Sequence, residues 1–196
     1  MLGADLRTRV CDTARVLRPT PADLLAARDR TLPDLVAEHL HVLFCGINPG
    51  LYTAWAGHHF ARPGNRFWPA LHRSGFTPRQ LQPSEQAELL TLGLGITNVV
   101  ARATAAAAEL SRDELRAGGA RLIRDVERWQ PAWLAVLGVT AYRAAFDDRR
   151  AVVGRQARTI GATRLWVLPN PSGLNAHWTP TTLAEEFAAL RAATLT

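Results

Sequence analysis

The chain has 196 residues, 47% of them hydrophobic and 20% charged, and its 23 basic residues outnumber 17 acidic ones for a formal net charge of +6 at pH 7. Those proportions fit one globular domain with a sizeable core rather than a disordered tail or a fibre. Every basic residue is Arg and none is Lys; a GC-rich coding sequence accounts for that choice, but the excess of positive charge itself points to a polyanionic partner.

Residues 1–19 read as a loose basic arm and residues 20–196 as a single domain. The first twenty residues carry Asp5 and several Arg and contain no apolar signal core. No window approaches eighteen uninterrupted apolar residues, so a soluble, intracellular protein is expected. Cys11 and Cys45 lie far apart without a CxxC pair, so they cannot build a four-thiolate cluster or zinc site.

Thr20-Pro21-Ala22-Asp23 supplies a cap, a proline at the first helical position and an early acid, which predicts a short helix. The run 40-LHVLFCGI-47 is nearly all apolar and ends at Gly, as suits a strand buried on both faces. Similar runs follow at 92–100, 133–138 and 164–169. Between the second and third, 111-SRDELRAGGARLIRDVERWQ-130 opens with a Ser111/Glu114 capping box. It places Leu115, Leu122, Ile123, Val126 and Trp129 on one helical face. At the end of the chain, 179-TPTTLAEEFAALRAATL-195 carries Leu183, Phe187 and Leu190 on a second stripe. Strands alternating with helices predict an α/β fold, a three-layer α/β/α sandwich with a largely parallel central sheet.

Such sheets place their sites where strands pass into loops at the carboxyl edge. Two unusual loops are expected there. In 46-GINPG-50, Asn48 offers one acceptor and two donors, and so could hold a water; Asn before Pro also starts ordinary Asx turns. The loop lacks the GK[ST] of a phosphate-binding Walker motif. Within 57-GHHFARPGNRFW-68, Phe67 and Trp68 are expected in the core, whereas Phe60, among polar neighbours, is the better platform for a flat ligand. The second loop, 169-PNPSGLNAH-177, carries one bulky apolar residue, Leu174, which either folds back on the core or inserts between bases.

Taken together in this order, TLPDLVAEHL, GINPG, GHHFARPGNRFW, GITNVV, ELRAGGARLI and VLPNPSGL resemble the mismatch-specific uracil DNA glycosylases and their thymine DNA glycosylase relatives. The resemblance spans roughly residues 31–190. It implies an enzyme of DNA repair that flips a damaged base out of the duplex and hydrolyses its bond to deoxyribose without metal or other cofactor. By the same resemblance Asn48 would hold the attacking water and Asn170 would line the site from the second loop. Phe60 would stack on the base, with Ile47 and Gly50 shaping the pocket. Leu174 would wedge into the duplex, with Gly173 and Asn175 contacting the orphaned guanine. The implied partner is double-stranded DNA with U:G or related mismatches; a monomer is the simplest expectation, in the bacterial cytoplasm at the nucleoid.

Thr53 lies near the position where, by the resemblance, strict uracil glycosylases carry a bulky aromatic that excludes the thymine methyl, and GHH resembles the thymine-acting branch, adding a hydrogen-bonding group at His59. Uracil opposite guanine is the expected best substrate, with thymine or adducted cytosine attacked more weakly. One position departs from the resemblance: Ala101 stands where an acid is common, which would mark a lost acid position. It leaves open an alternative, a catalytically impaired protein that recognises mismatches without cutting them. A hydrolase of free nucleotides is disfavoured, because a free nucleotide leaves no gap for Leu174 to fill.

Overall fold

A computed structural model describes residues 18–196, so almost all of the arm expected over residues 1–19 lies outside the described residues. The chain forms, in order, α1 (Pro21–Ala26), β1 (Val42–Gly46), α2 (Leu51–Ala56), α3 (Phe67–Arg73), α4 (Glu88–Thr91) and β2 (Leu94–Asn98). It continues with α5 (Arg112–Trp129), β3 (Trp133–Leu137), α6 (Val139–Phe146), β4 (Gly154–Ile160), β5 (Thr163–Leu168) and α7 (Pro180–Thr194). Local chemistry sets the helix starts. Thr20, Ser111 and Thr179 each cap a helix through a reciprocal capping box, and Pro opens α1 and α7.

The five strands lie in the order β2-β1-β3-β5-β4. The first four are parallel and only β4 runs antiparallel, paired to β5. The largely parallel sheet expected from the alternating runs is therefore present. Its residues divide cleanly between the faces, as a period of two requires. Val42, Phe44, Trp133, Ala135 and Trp166 pack with α3 and α7, while Leu43, Cys45, Leu134, Val136 and Leu165 pack with α5 and α6. Helices thus cover both faces of a sheet whose four parallel strands are almost wholly apolar.

Several elements go beyond the sequence expectation, α4 and α6 among them. β4, with the sequence GRQARTI, is a half-exposed edge strand, and α2 forms a short helix inside what reads as irregular loop after GINPG. The chain leaves β1 for its neighbour β2 on one side and then returns to β3 on the other. At that reversal the loops on the carboxyl ends of β1 and β3 splay apart and leave a crevice.

Candidate active site

That crevice holds a cavity of about 150 Å³, the size that admits a six-membered ring. Four strand ends contribute to it. Gly46 to Gly50 come from β1, Asn98 from β2, Leu137 from β3, and Asn170 to Ser172 from β5; Thr53, His59 and Phe60 close one side, and Thr104 to Ala107 the other. The expected pocket residues Ile47, Asn48, Gly50, Thr53, His59, Phe60 and Asn170 are therefore gathered in one place.

Asn48 is held by its amide nitrogen. Nδ2 donates to the Arg102 carbonyl at 3.0 Å and to Thr104 Oγ1 at 2.8 Å. A carbonyl can only accept, so the amide orientation is fixed and Oδ1 is left as the group that can accept from a ligand or water. The segment that supplies these partners is itself pinned. Thr104 N donates to the Pro49 carbonyl, and Arg102 forms ion pairs with Glu114 at 2.6 Å and Asp29 at 3.1 Å. Those contacts with Arg102 and the N-cap of α5 hold the Glu114 carboxyl down to about 2.

Asn98 lines the cavity, and the sequence expectations omit it. Its register partner in β1 is Gly46, and a Cβ on Gly46 would sit 2.5 Å from Asn98 Oδ1 and 3.4 Å from the Phe60 ring. Only glycine lets the Asn98 amide lie across the strand end and into the cavity. Arg121 fixes its backbone by donating to the Asn98 carbonyl at 2.6 Å. The residue is 4% exposed, and among the described residues its side-chain amide makes no hydrogen bond. An amide on a cavity wall whose polar atoms face the open crevice and have no protein partner is free to meet a ligand's polar edge. GITNVV shows the polar residue at the end of an apolar run, but its facing Gly46 is a tertiary fact.

Phe60 takes φ +53, a conformation that costs a bulky residue energy and marks an over-determined position. Its ring stacks on Phe67 at 4.1 Å between centroids and so forms a rigid floor. His59 is 2% exposed, and its Nε2 lies 3.0 Å from the Pro33 carbonyl. Burial pulls its pKa to about 4, so the ring is neutral with Nε2 as the donor, and only Nδ1 remains for the role expected of it. No Asp or Glu lines the cavity among the described residues.

The second loop stands beside the first. Arg66, at the N-cap of α3, donates through its guanidinium to the carbonyls of Ser172 at 2.5 Å, Asn175 at 2.8 Å and Trp178, while its backbone N–H meets Pro171. Gly173 packs so closely that a Cβ there would lie 2.4 Å from the Gly64 carbonyl. Asn175 donates through Nδ2 to the Asn170 carbonyl, and Asn170 Oδ1 accepts from Ser172 N. Held this way, the loop presents Leu174 75% exposed. It does not fold back on the core.

Ala101 is exposed and takes no part in the cavity wall. An acid is not needed there to hold Arg102, which Asp29 and Glu114 already engage.

The family model of the Uracil DNA glycosylase superfamily matches residues 33–193, most of the chain and all of this site. The chain belongs to the uracil DNA glycosylase superfamily. Membership brings with it a DNA glycosylase type of repair activity, hydrolysis of the bond between base and sugar, with DNA as the substrate. As a superfamily member the protein carries its cavity at the β1/β3 reversal. Among the described residues no helix is long and apolar enough to cross a membrane.

Proposed function

We propose that this superfamily member is a mismatch-directed uracil DNA glycosylase that works as a single domain and hydrolyses the N-glycosidic bond with a water positioned by Asn48. The observation that carries the proposal is the fixed Asn48 amide, with Nδ2 committed to Arg102 and Thr104 and Oδ1 left as acceptor in a cavity of base size.

The chemistry follows from what the cavity contains. With no carboxylate on its wall, and with burial making His59 a weak base of pKa about 4, nothing among the lining residues strips a proton from water efficiently before the bond breaks. The C1′–N bond therefore lengthens first. Its electron pair leaves with the base, positive charge builds on the sugar, and water held on Asn48 Oδ1 adds to C1′. The water's hydroxyl stays on the sugar and its second proton ends on the departing base. Asn98 can donate to the base as negative charge grows there, where preorganised dipoles matter most. Phe60 supports the ring face, and Asn170 offers its Nδ2 from the second loop.

Leu174 would fill the space that the extruded base leaves, with Gly173 and Asn175 beside the orphaned guanine. Thr53 is small for a wall residue, which supports entry of thymine and adducted cytosine at lower rates than uracil. A mispaired base is also cheaper to extrude, which favours U:G over U:A.

The test is single-turnover cleavage of a labelled duplex holding one U:G pair, followed by alkali, for the wild type and Asn48→Ala. Scission by the wild type, reduced about 100-fold or more in the variant, with U:G cleaved faster than U:A and T:G, is the expected result. Tight binding of U:G without scission by the wild type would reject the enzyme reading in favour of mismatch recognition alone.

A further inference from the structure

Between α5 and α6 lies a depression of about 540 Å³ lined by Arg112, Arg116, Arg143 and Arg149, with Asp147 as its one acid and Thr140 also on its wall. Its arginines differ from those that are ion-paired elsewhere on the surface. Arg28, Arg79, Arg102 and Arg121 all reach a carboxylate. Among the described residues, Arg112, Arg116, Arg143 and Arg149 form no ion pair; Arg143 donates to the Ala151 carbonyl instead. Four guanidiniums around one hollow with a single compensating acid repel one another unless an anion is present, and their planar forks suit phosphate oxygens.

The position of the hollow selects among anions. Leu137 lines the base cavity and Thr140 lines the hollow, three residues on; Ala107 lines the cavity and Arg112 the hollow, five residues on. Chain connectivity limits those separations to about 11 and 18 Å. A DNA strand rises about 3.4 Å per nucleotide, so the hollow lies within about three to five nucleotides of a base seated in the cavity. We infer that the arginine-lined hollow between α5 and α6 is a second DNA site, which grips backbone phosphates on one arm of the duplex a few nucleotides from the extruded base. The inference rests on the reading that the cavity takes a base from duplex DNA.

It also divides labour. Phosphate contacts fix register without reading sequence, so the hollow adds affinity and orientation while the cavity and loops supply selectivity. The probe is a set of U:G duplexes with arms extending either three or twelve base pairs from the mismatch. Binding by the full chain and by the Arg116→Gln, Arg149→Gln double variant is followed across salt concentrations, with single-turnover scission at saturating protein read in parallel. Both side chains are exposed, and an Arg116→Lys, Arg149→Lys pair restores the charge.

On the duplex with long arms the Gln variant should bind about tenfold or more weakly, with a log–log salt slope shallower by about 1.8, the value for two lost phosphate contacts. Its rate at saturation should match the wild type, and the Lys pair should recover most of the slope. When both arms are short, wild type and Gln variant should bind alike. Equal salt slopes on long arms would overturn the inference, as would protection of the arginines by inorganic phosphate with DNA binding unchanged. Absence of scission by the wild type at saturation would refute the glycosylase reading instead, and leaves the slope comparison readable.

Discussion

Asn48 Nδ2 and Thr104 Oγ1 meet at 2.8 Å across two loops that are 56 residues apart in the chain. Together with the bond to the Arg102 carbonyl, this bond sets which end of the Asn48 amide faces the cavity. Thr104 also donates to the Ala106 carbonyl at 2.9 Å, so its hydroxyl accepts from Asn48 with its own proton already placed.

Replacing Thr104 with Val keeps the shape and removes the acceptor. Without it the amide loses a partner worth about 1–3 kcal/mol in a buried setting and gains freedom to turn. Single-turnover scission of U:G should fall about 10- to 100-fold, while affinity for the duplex stays within about twofold; Thr104→Ser should stay near the wild type. A Val variant as fast as the wild type would show that the orientation of Asn48 does not depend on this bond.

Asn98→Asp places an acceptor where a donor to the leaving base is proposed. Scission should drop by about 100- to 1,000-fold, the range for removing a donor to developing negative charge. A duplex already carrying an abasic site has no base to read, so the variant should bind it as the wild type does. Parallel loss of both would instead indicate that Asn98 only supports β2.

Arg66→Met removes three hydrogen bonds to the 172–178 loop. Amide hydrogen exchange over that loop should accelerate while the amides of β1 and β3 stay protected. Affinity for the U:G duplex should weaken by about tenfold, since ordering the loop becomes part of binding. Unchanged exchange would mean that Gly173 and its close neighbour Gly64 suffice to dock the loop.

His59 ties stability to pH. Its folded pKa lies at about 4, below the ordinary 6.5, because burial penalises the charged ring. Between these values the unfolded chain binds the extra proton, so stability is present above about pH 6.5 and drains as pH falls toward 4. At roughly 1.4 kcal/mol per unit the loss amounts to about 3 kcal/mol. Melting temperatures across that window should fall less steeply for His59→Gln than for the wild type; equal slopes would show that carboxylates alone set the acid limit.

Ala101→Asp should leave the single-turnover rate within about twofold, because the position is exposed, off the cavity wall, and beside an Arg already paired with two acids. A tenfold gain would reinstate an acid at this position as part of the machinery.

The legible parts of the fold were those with strong local chemistry. Four apolar runs gave β1, β2, β3 and β5, and Thr20, Ser111 and Thr179 announced the starts of α1, α5 and α7. β4 escaped because an edge strand needs only one apolar face. Its Arg155 instead lies against the Trp133 ring, as does Arg164 of β5, a snorkelling arrangement that periodicity does not register. α2 is six residues without a side-chain cap, too short for a helical repeat to appear. At the site, Asn48, Phe60 and Asn170 stood out because they sit in irregular polar loops. Asn98 reads as the end of a strand and Thr104 as an ordinary loop residue until register and long-range hydrogen bonds bring them to the cavity, and Arg66 shows its part only through its bonds to the second loop.

The contact of Gly173 with the Gly64 carbonyl, reinforced by Arg66, joins the Leu174 loop to the rim of the cavity as one stiff template. A template that does not bend leaves the deformation to the nucleic acid. On the proposed mode of action, substrates bearing the same U:G pair should then differ in rate with the flexibility of the flanking base steps, pyrimidine–purine neighbours being easiest to open and stiff A-tracts hardest. Discrimination of this kind would arise at bases that the protein never touches.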